Sequence, residues 1–234
     1  FLALSRTPQV VLGVGQQGPL HLRGLAGRTV GVSHLGGKAH RLAQWMLFNA
    51  GVAPAAVNFV PVSGGGQLHL ALLSGQVDAV CQDEPWISRL EVGGQFRVLN
   101  DTRQLRPTQV LFGSTVPFDC LSAPATLLRQ HRDAYQAVTH GVAHALKWLQ
   151  TAAPRDLVLA LPPGYFQGDR ALFLSAYAKS LQGINHRGDI PADGPRNLWR
   201  ALGQLSGDPG LSKVDIGATF TQEFARKARE KYRL

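Results

Sequence analysis

Between residues 24 and 86 short apolar runs alternate with amphipathic ones, and glycines mark the joins: GLAGRTVGVSHLGGKAHRLAQWMLFNAGVAPAAVNFVPVSGGGQLHLALLSGQVDAVCQDEPW. The pattern predicts a strand over 28–33, a tight HLGGKA turn and a helix over 38–50. Leu42, Trp45, Met46 and Asn49 recur at helical spacing as a mostly apolar face, and Gly51 is a natural stop. A second strand is expected over 57–62, then an SGGG turn and a helix through LHLALLS closed by Gly75. A third strand, 77–81, leads into a helix over EPWISRLEVGG with Pro85 in its first turn. FRVLND, 96–101, is a fourth strand, and the apolar run TQVLFG, 108–113, reads as another. Alternation of this kind predicts an α/β fold with a parallel sheet and crossover helices.

From about residue 124 the period becomes helical. Tyr135, Val138, Val142, Ala145, Leu146 and Leu149 form one stripe over 133–150. Further helices are expected at 154–161, 168–181, 194–205 and 219–232, separated by PPGYFQGD and NHRGDIPADGP. No internal repeat or low-complexity linker interrupts the chain.

In such a sheet the two glycine turns and the QDEPW loop leave the carboxyl ends of strands, where open α/β sheets bind ligands. Ser33, His34, Gly36, Gly37 and Lys38 form the first candidate group. Unpaired N–H groups at a helix start attract an anion, and the glycines let it approach the backbone. The other reading is an ordinary turn with Ser33 as a local cap. Ser63, Gly64 and Gly65 repeat the arrangement after the second strand. Gln82, Asp83, Glu84 and Trp86 follow the third: the acids could accept hydrogen bonds from a ligand on which Trp86 stacks. Alternatively one acid serves the following helix and Trp86 is core; for Glu84 the helix role is preferred.

Several chemistries are not expected. The turns lack phosphate-loop and dinucleotide spacing, and no G-x-S-x-G elbow is present. His34 and His40 stand six apart without a paired carboxylate, a poor metal pattern. Catalytic residues, a metal and a cofactor are therefore not expected. Cys81 and Cys120 fall on different segments and are expected to be unpaired.

Composition changes this picture little. The 234 residues suffice for one large domain or two small ones. No apolar run reaches the ~18–20 residues of a membrane span. Net charge is +9, which favours acidic ligands. The one dense basic stretch, Arg226, Lys227, Arg229, Lys231 and Arg233, reads as a solvated helix face. Nucleic acid is not an expected partner.

Ordered segments over nearly the whole chain carry a family resemblance: LALSRTPQVVLGV, LRGLAGRTVGVSHLGG, FNAGVAPAAVNFVPV, LLSGQVDAVCQDEPW, LNDTRQ, FGSTVPFDCLSA, ALKWLQTA, YFQGDRALFLSAY and DIGATFTQEFARKA. The set resembles periplasmic solute-binding proteins of ABC importers, of the nitrate/sulfonate/taurine type. The resemblance implies a bilobed α/β fold of the type II binding-protein class, with parallel or mixed sheets flanked by helices. It divides the chain into a crossover strand from lobe one (1–23), lobe two (24–107), and a return crossover with the helical remainder of lobe one (108–234). It implies capture of a small anionic or zwitterionic organic solute in an interlobe cleft, hinge closure, and delivery to a membrane permease. The expected location is the periplasm, or an extracellular lipid anchor. Such relatives carry a further front segment in lobe one, and the abrupt start at Phe1, which does not read as a signal peptide, fits a chain entered partway through that lobe. Lobe one would then leave apolar surface and a sheet edge uncovered, so extra association in solution is expected. Many relatives have a serine-rich glycine loop where this chain has LGGKAH, which shifts the expected contacts towards backbone N–H groups and Lys38. A same-fold enzyme, such as one of thiamine-pyrimidine synthesis, and a ligand-sensing module remain alternatives.

Overall fold

The computed structural model describes residues 1–62 and 65–234. The chain divides into two units. One comprises Gln9–Pro107 and Asp169–Ser180, the other Phe1–Pro8, Thr108–Gly168 and Leu181–Leu234. The segment 1–23 thus contributes a strand to each: β1 (Leu2–Ala3) to the second unit and β2 (Val11–Gly15) to the first.

The first unit is built on a five-stranded sheet. After β2 come β3 (Thr29–Val32), α1 (Lys38–Asn49), β4 (Asn58–Pro61), α2 (Gly65–Leu73), β5 (Ala79–Gln82), α3 (Trp86–Val92) and β6 (Phe96–Asp101). The strand order is β4-β3-β5-β2-β6. The three strands of the glycine-punctuated region are mutually parallel, with Val30 opposite both Phe59 and Ala79. β2 runs antiparallel to β5 and β6, so the sheet is mixed where pure alternation suggested a parallel one.

Burial explains why these segments become strands. Val30, Val32, Ala79, Val80 and Cys81 are all buried, as expected of short apolar runs covered on both faces. Leu68, Ala71 and Leu72 of α2 and Ile87 and Leu90 of α3 pack with Val11, Val77 and Val80 into one core. Each large aliphatic side chain taken out of water there contributes about 1.5–3 kcal/mol. Gly31 lets α2 lie close, since a Cβ at that position would come within 2.8 Å of Leu68 Cδ2. On α1 the expected face is found: Leu42, Trp45 and Met46 are buried, while Asn49 is exposed and caps the Trp45 carbonyl at 2.8 Å.

α4 (Leu105–Phe112) corrects the expected strand at 108–113. Thr108, Leu111 and Phe112 are buried and Val110 is 80% exposed, the signature of a helical turn and not of a strand. Pro107 is accommodated because it lies in the first turn, where its missing N–H has no intrahelical partner to lose.

The second unit pairs β1 with β7 (Cys120–Leu121) antiparallel, Leu2 opposite Leu121. Its helices are α5 (Ala125–Gln130), α6 (Arg132–Trp148), α7 (Pro154–Ala160), then, beyond α8 (Arg170–Ser180), α9 (Asp193–Ser206) and α10 (Glu223–Tyr232). Phe1, Leu2, Phe224 and Ala225 form the heart of a core with Leu121, Leu128, Tyr135 and Val142. The α6 stripe is rotated from the expected one: Thr139, Ala143 and Leu146 face inward, whereas Val138 is 52% exposed and Ala145 is exposed. The helical period was clear, but small residues on both flanks left the phase undetermined.

α8 (Arg170–Ser180) belongs to the first unit although it comes late in the chain. Lys179 Nζ meets Glu91 Oε2 at 2.5 Å, and Gln9 donates to the Ser180 carbonyl at 3.3 Å. Both cysteines are free, Cys81 buried and Cys120 exposed. Among the described residues no helix is long and apolar enough to cross a membrane.

Candidate functional site

Because β3, β4 and β5 are parallel neighbours, the segments that follow them leave one rim of the sheet. After β3, the Gly37 N–H donates to the His34 carbonyl at 3.2 Å, closing a turn whose His34, Leu35 and Gly36 are exposed. Ser33 is half-buried, and Gly37, in extended conformation, takes the capping position before α1, so the alternative reading of Ser33 as the helix cap does not hold. Gly37 has no side chain to accept from the helix, and its carbonyl accepts from the Arg41 N–H at 3.0 Å. The N–H groups of the first turn therefore lack intrahelical acceptors and carry the positive end of the helix dipole.

Gly36 sits at φ 79°, a left-handed conformation that strains any residue with a Cβ. A Gly36→Ala chain is expected to lose about 1 kcal/mol of stability, read as a lower urea midpoint. Its open surroundings exclude a steric cause.

The Gly36 N–H donates to His40 Nδ1 at 2.7 Å, so the first turn of α1 pins its own entry loop. That bond needs a neutral imidazole with Nδ1 as acceptor. Burial, and secondarily the Arg41 cation, lowers the His40 pKa below its ordinary 6.5. The imidazole and the Phe59 ring pack edge to face, their centroids 4.6 Å apart. A lowered folded value means that the neutral form stabilises the fold above the unfolded pKa. This contribution is lost as pH falls below about 6.5 towards the folded value. Melting temperature is expected to fall over that range, and His40→Gln is expected to flatten the fall.

After β4, Ser63 and Gly64 lie outside the described residues, and Gly65 opens α2. After β5, Gln82 is buried and its Oε1 accepts from the Asp83 N–H at 3.2 Å. Asp83 reaches across to the first loop: Lys38 Nζ and Asp83 Oδ2 are 3.4 Å apart, both side chains partly exposed. Pro85 is the residue before α3, so its first-turn role moves out by one position. Trp86 opens α3, half-buried, with the Arg89 guanidinium 5.3 Å from its ring.

Glu84 faces the helix. It accepts from the Ser88 N–H at 3.1 Å and the Ser88 hydroxyl at 3.0 Å, and it pairs with Arg103. Arg103 is the centre of an ionic cluster that the sequence did not reveal. Its side chain is 3% exposed, and it also binds Asp101 Oδ2 at 2.7 Å and Glu91 Oε1 at 3.1 Å. Burial alone would raise the Glu91 pKa, but hydrogen bonds from Arg103 and Lys179 outweigh it and hold the carboxyl below its usual range. For Arg103 burial opposes the charge, and Asp101 and Glu91 more than restore it. The cluster ties the end of β5 to the end of β6 and to α8, and so fixes the backbone that presents Asp83. The Asp101-x-Arg103 spacing was its one local trace.

Among the described residues, cavities lie elsewhere. One of about 690 Å³, with Gln16, Arg28, Asp78 and Gln95 in its lining, sits at the amino ends of β3 and β5, opposite the rim. Another of about 340 Å³ lies in the second unit among Phe1, Arg129, Arg132 and Phe224. The rim residues line neither.

Comparison with known proteins bears on this arrangement. A protein from Bordetella bronchiseptica RB50 superposes with TM-score 0.88 at 33% identity, over 100% of this chain and 74% of that one. The periplasmic aliphatic sulphonate binding protein SsuA of Escherichia coli gives 0.68 at 16% identity, over 96% and 74%. The periplasmic nitrate-binding protein NrtA of Synechocystis PCC 6803 gives 0.69 at 13%, over 98% and 67%. The fold also carries an enzyme, the desulfurization enzyme DszB, at TM-score 0.54 and 16% identity, over 99% and 79%. No curated protein sequence matches the chain. These superpositions establish the type II periplasmic-binding-protein fold, and since residues 20–161, more than half of the sequence, match the NMT1-like family, the chain belongs to that family.

Proposed function

We propose that this chain is the solute-binding component of an ABC import system, working in the periplasm and passing a small organic acid to a membrane permease. The observation that carries the reading is the rim of the first unit. A helix start without a side-chain cap, an exposed glycine turn and the Lys38 ammonium come together at the carboxyl ends of parallel strands. An acid group placed there meets backbone donors, the positive helix end and a cation at once. Leu35, 54% exposed at the loop tip, and half-buried Trp86 offer apolar surface for an organic tail. The fold shared with a sulphonate-binding and a nitrate-binding protein supports the same reading.

An enzyme on this fold would need an activated nucleophile or base. Cys81 does not qualify: burial first, and Asp83 second, push its thiol far up, so it stays protonated. Differential scanning fluorimetry against sulfonates, nitrate, carboxylates and pyrimidines tests the proposal. A saturable rise in melting temperature with at least one acid is expected. Absence of any shift, or turnover of a bound compound, overturns it.

A further inference from the structure

We infer that His140 makes the seat of α10 on α6 acid-sensitive, so that the last turns of α10 leave α6 as the surroundings become mildly acidic. α10 is held unevenly along its length. Its first turns bury Phe224, Ala225 and Ala228, and Phe224 belongs to the core around Phe1 and Leu2. Beyond Ala228 no residue of α10 is buried. The last turn is seated instead by Tyr232. Its ring stacks on His144, 5.1 Å between centroids and 9° between planes, and meets His140 almost at right angles at 5.9 Å. The two histidines stand four apart on α6 and so share a face. Lys147 Nζ adds a hydrogen bond to the Tyr232 carbonyl.

His140 Nε2 is shut off from solvent and, among the described residues, has no hydrogen-bond partner. A protonated ring there would carry a full charge on a nitrogen with neither acceptor nor water. The groups around it are cationic: Lys227 and Lys231 from α10, and His144 and Lys147 from its own helix. Half-buried Arg229 of α10 has an Nη1 that likewise lacks a partner, and Arg129 is the charged residue of α5, which also packs on α6. From the chain after α8, His186 meets the Leu146 carbonyl and Arg187 the Leu234 carbonyl. Acids do not offset these charges. Glu223 is bound by Arg132 and Lys227, and Asp133 and Glu230 are exposed. Nor does the Tyr232 ring invite another cation, since Lys231 Nζ already lies 5.5 Å from its centroid.

Burial first, then Lys231 and Lys227, hold the His140 imidazole below its ordinary 6.5. A lowered folded value makes the neutral form the docked one. Docking is complete above the unfolded value and weakens by up to about tenfold per pH unit below it, until the folded value is reached. Release uncovers first the Tyr232 seat and then the Ala228 and Phe224 face.

Hydrogen exchange followed by mass spectrometry on peptides within 224–234, corrected for the intrinsic pH dependence of exchange, tests the inference. Protection in wild type is expected to be about twofold to tenfold lower at pH 5.5 than at pH 7.5. In His140→Gln, which keeps a polar side chain that does not titrate, the fall is expected to shrink below about 1.5-fold. His144→Gln removes the stacked ring and is expected to lower protection at both pH values while retaining the acid-induced fall. Lys231→Gln leaves both histidines and Tyr232 in place and, with one like charge gone, is expected to lessen that fall. Protection unchanged or higher at pH 5.5 in wild type overturns the inference, and so does a fall of undiminished size in His140→Gln.

Discussion

Replacing Arg103 with methionine is expected to lower the stability of the unit that holds it by about 3–5 kcal/mol. The methionine fills much of the same volume, so the loss comes from charge. In wild type the guanidinium, 3% exposed, meets the carboxylates of Asp101, Glu84 and Glu91. Without it, three carboxylates remain with Lys179, which contacts Glu91. Urea denaturation followed by circular dichroism reads the effect as a lower midpoint. Arg103→Lys keeps the charge but not the planar fork and is expected to fall between the two. The pH dependence separates this cause from lost packing. In wild type the Glu91 carboxyl is held below its ordinary 4.5, so its stabilisation is complete above that value and fades as pH falls through the folded one. Arg103→Met removes the main partner, so the gap between variant and wild type is expected to narrow below about pH 4.5. A deficit under about 1 kcal/mol, or one independent of pH, would show that the cluster is an ordinary surface network.

The contrast between that cluster and the glycine turns shows which parts of the molecule local pattern could reveal. Strands at 29–32, 58–61 and 79–82 were legible because each is a short, mostly apolar run bounded by turn residues; 29–32 and 79–82 are buried, and 58–61 is a partly exposed strand at the sheet edge. Their parallel order followed from the intervening helices, and with it the shared rim. The run TQVLFG misled because six residues of mixed apolar and β-branched character fit a strand or one helical turn and a half equally well. Tertiary burial of Thr108, Leu111 and Phe112 on one side settled it as a helix. The antiparallel course of β2 had no local cue, since a strand's direction is set by where its neighbours lie. Arg103 was invisible for the same reason: its partners come from the loop after β5, from α3 and from β6, and Lys179 joins from α8, more than seventy positions further on. At the site, Lys38 and Asp83 were both singled out from sequence. What the sequence withheld was their pairing across adjacent strand ends. For Glu84 the helix role preferred from sequence is the one its bonds to Ser88 show, and only its pairing with Arg103 was hidden, because that partner lies beyond β6.

Charge reversal at Lys38 separates binding from folding more sharply than any other change. Lys38→Glu is expected to leave stability within about 1 kcal/mol of wild type. The variant gives up a partly exposed ion pair with Asp83 and sets two carboxylates near each other, both small effects in solvent. Against that, an acid in the first turn of α1 now suits the helix dipole, by about 0.3–1 kcal/mol. Acid binding behaves differently. A charge-assisted hydrogen bond worth about 1.5–3 kcal/mol is lost. A repulsion of about 1–4 kcal/mol, depending on local screening, takes its place at contact distance. Together these come to about 2.5–7 kcal/mol, so the dissociation constant of any acid bound at this rim is expected to rise about 60-fold or more. Calorimetry with whichever acid binds wild type most tightly reads this directly, and a thermal melt of the ligand-free variant reads the other half. An unchanged dissociation constant in a folded Lys38→Glu chain would place the acid away from α1 and remove the physical basis of the rim as a binding site. Added salt offers an independent check, because the affinity of wild type for an acid is expected to weaken as ionic strength rises and the Debye length contracts, whereas a site built on apolar contacts would hold its affinity.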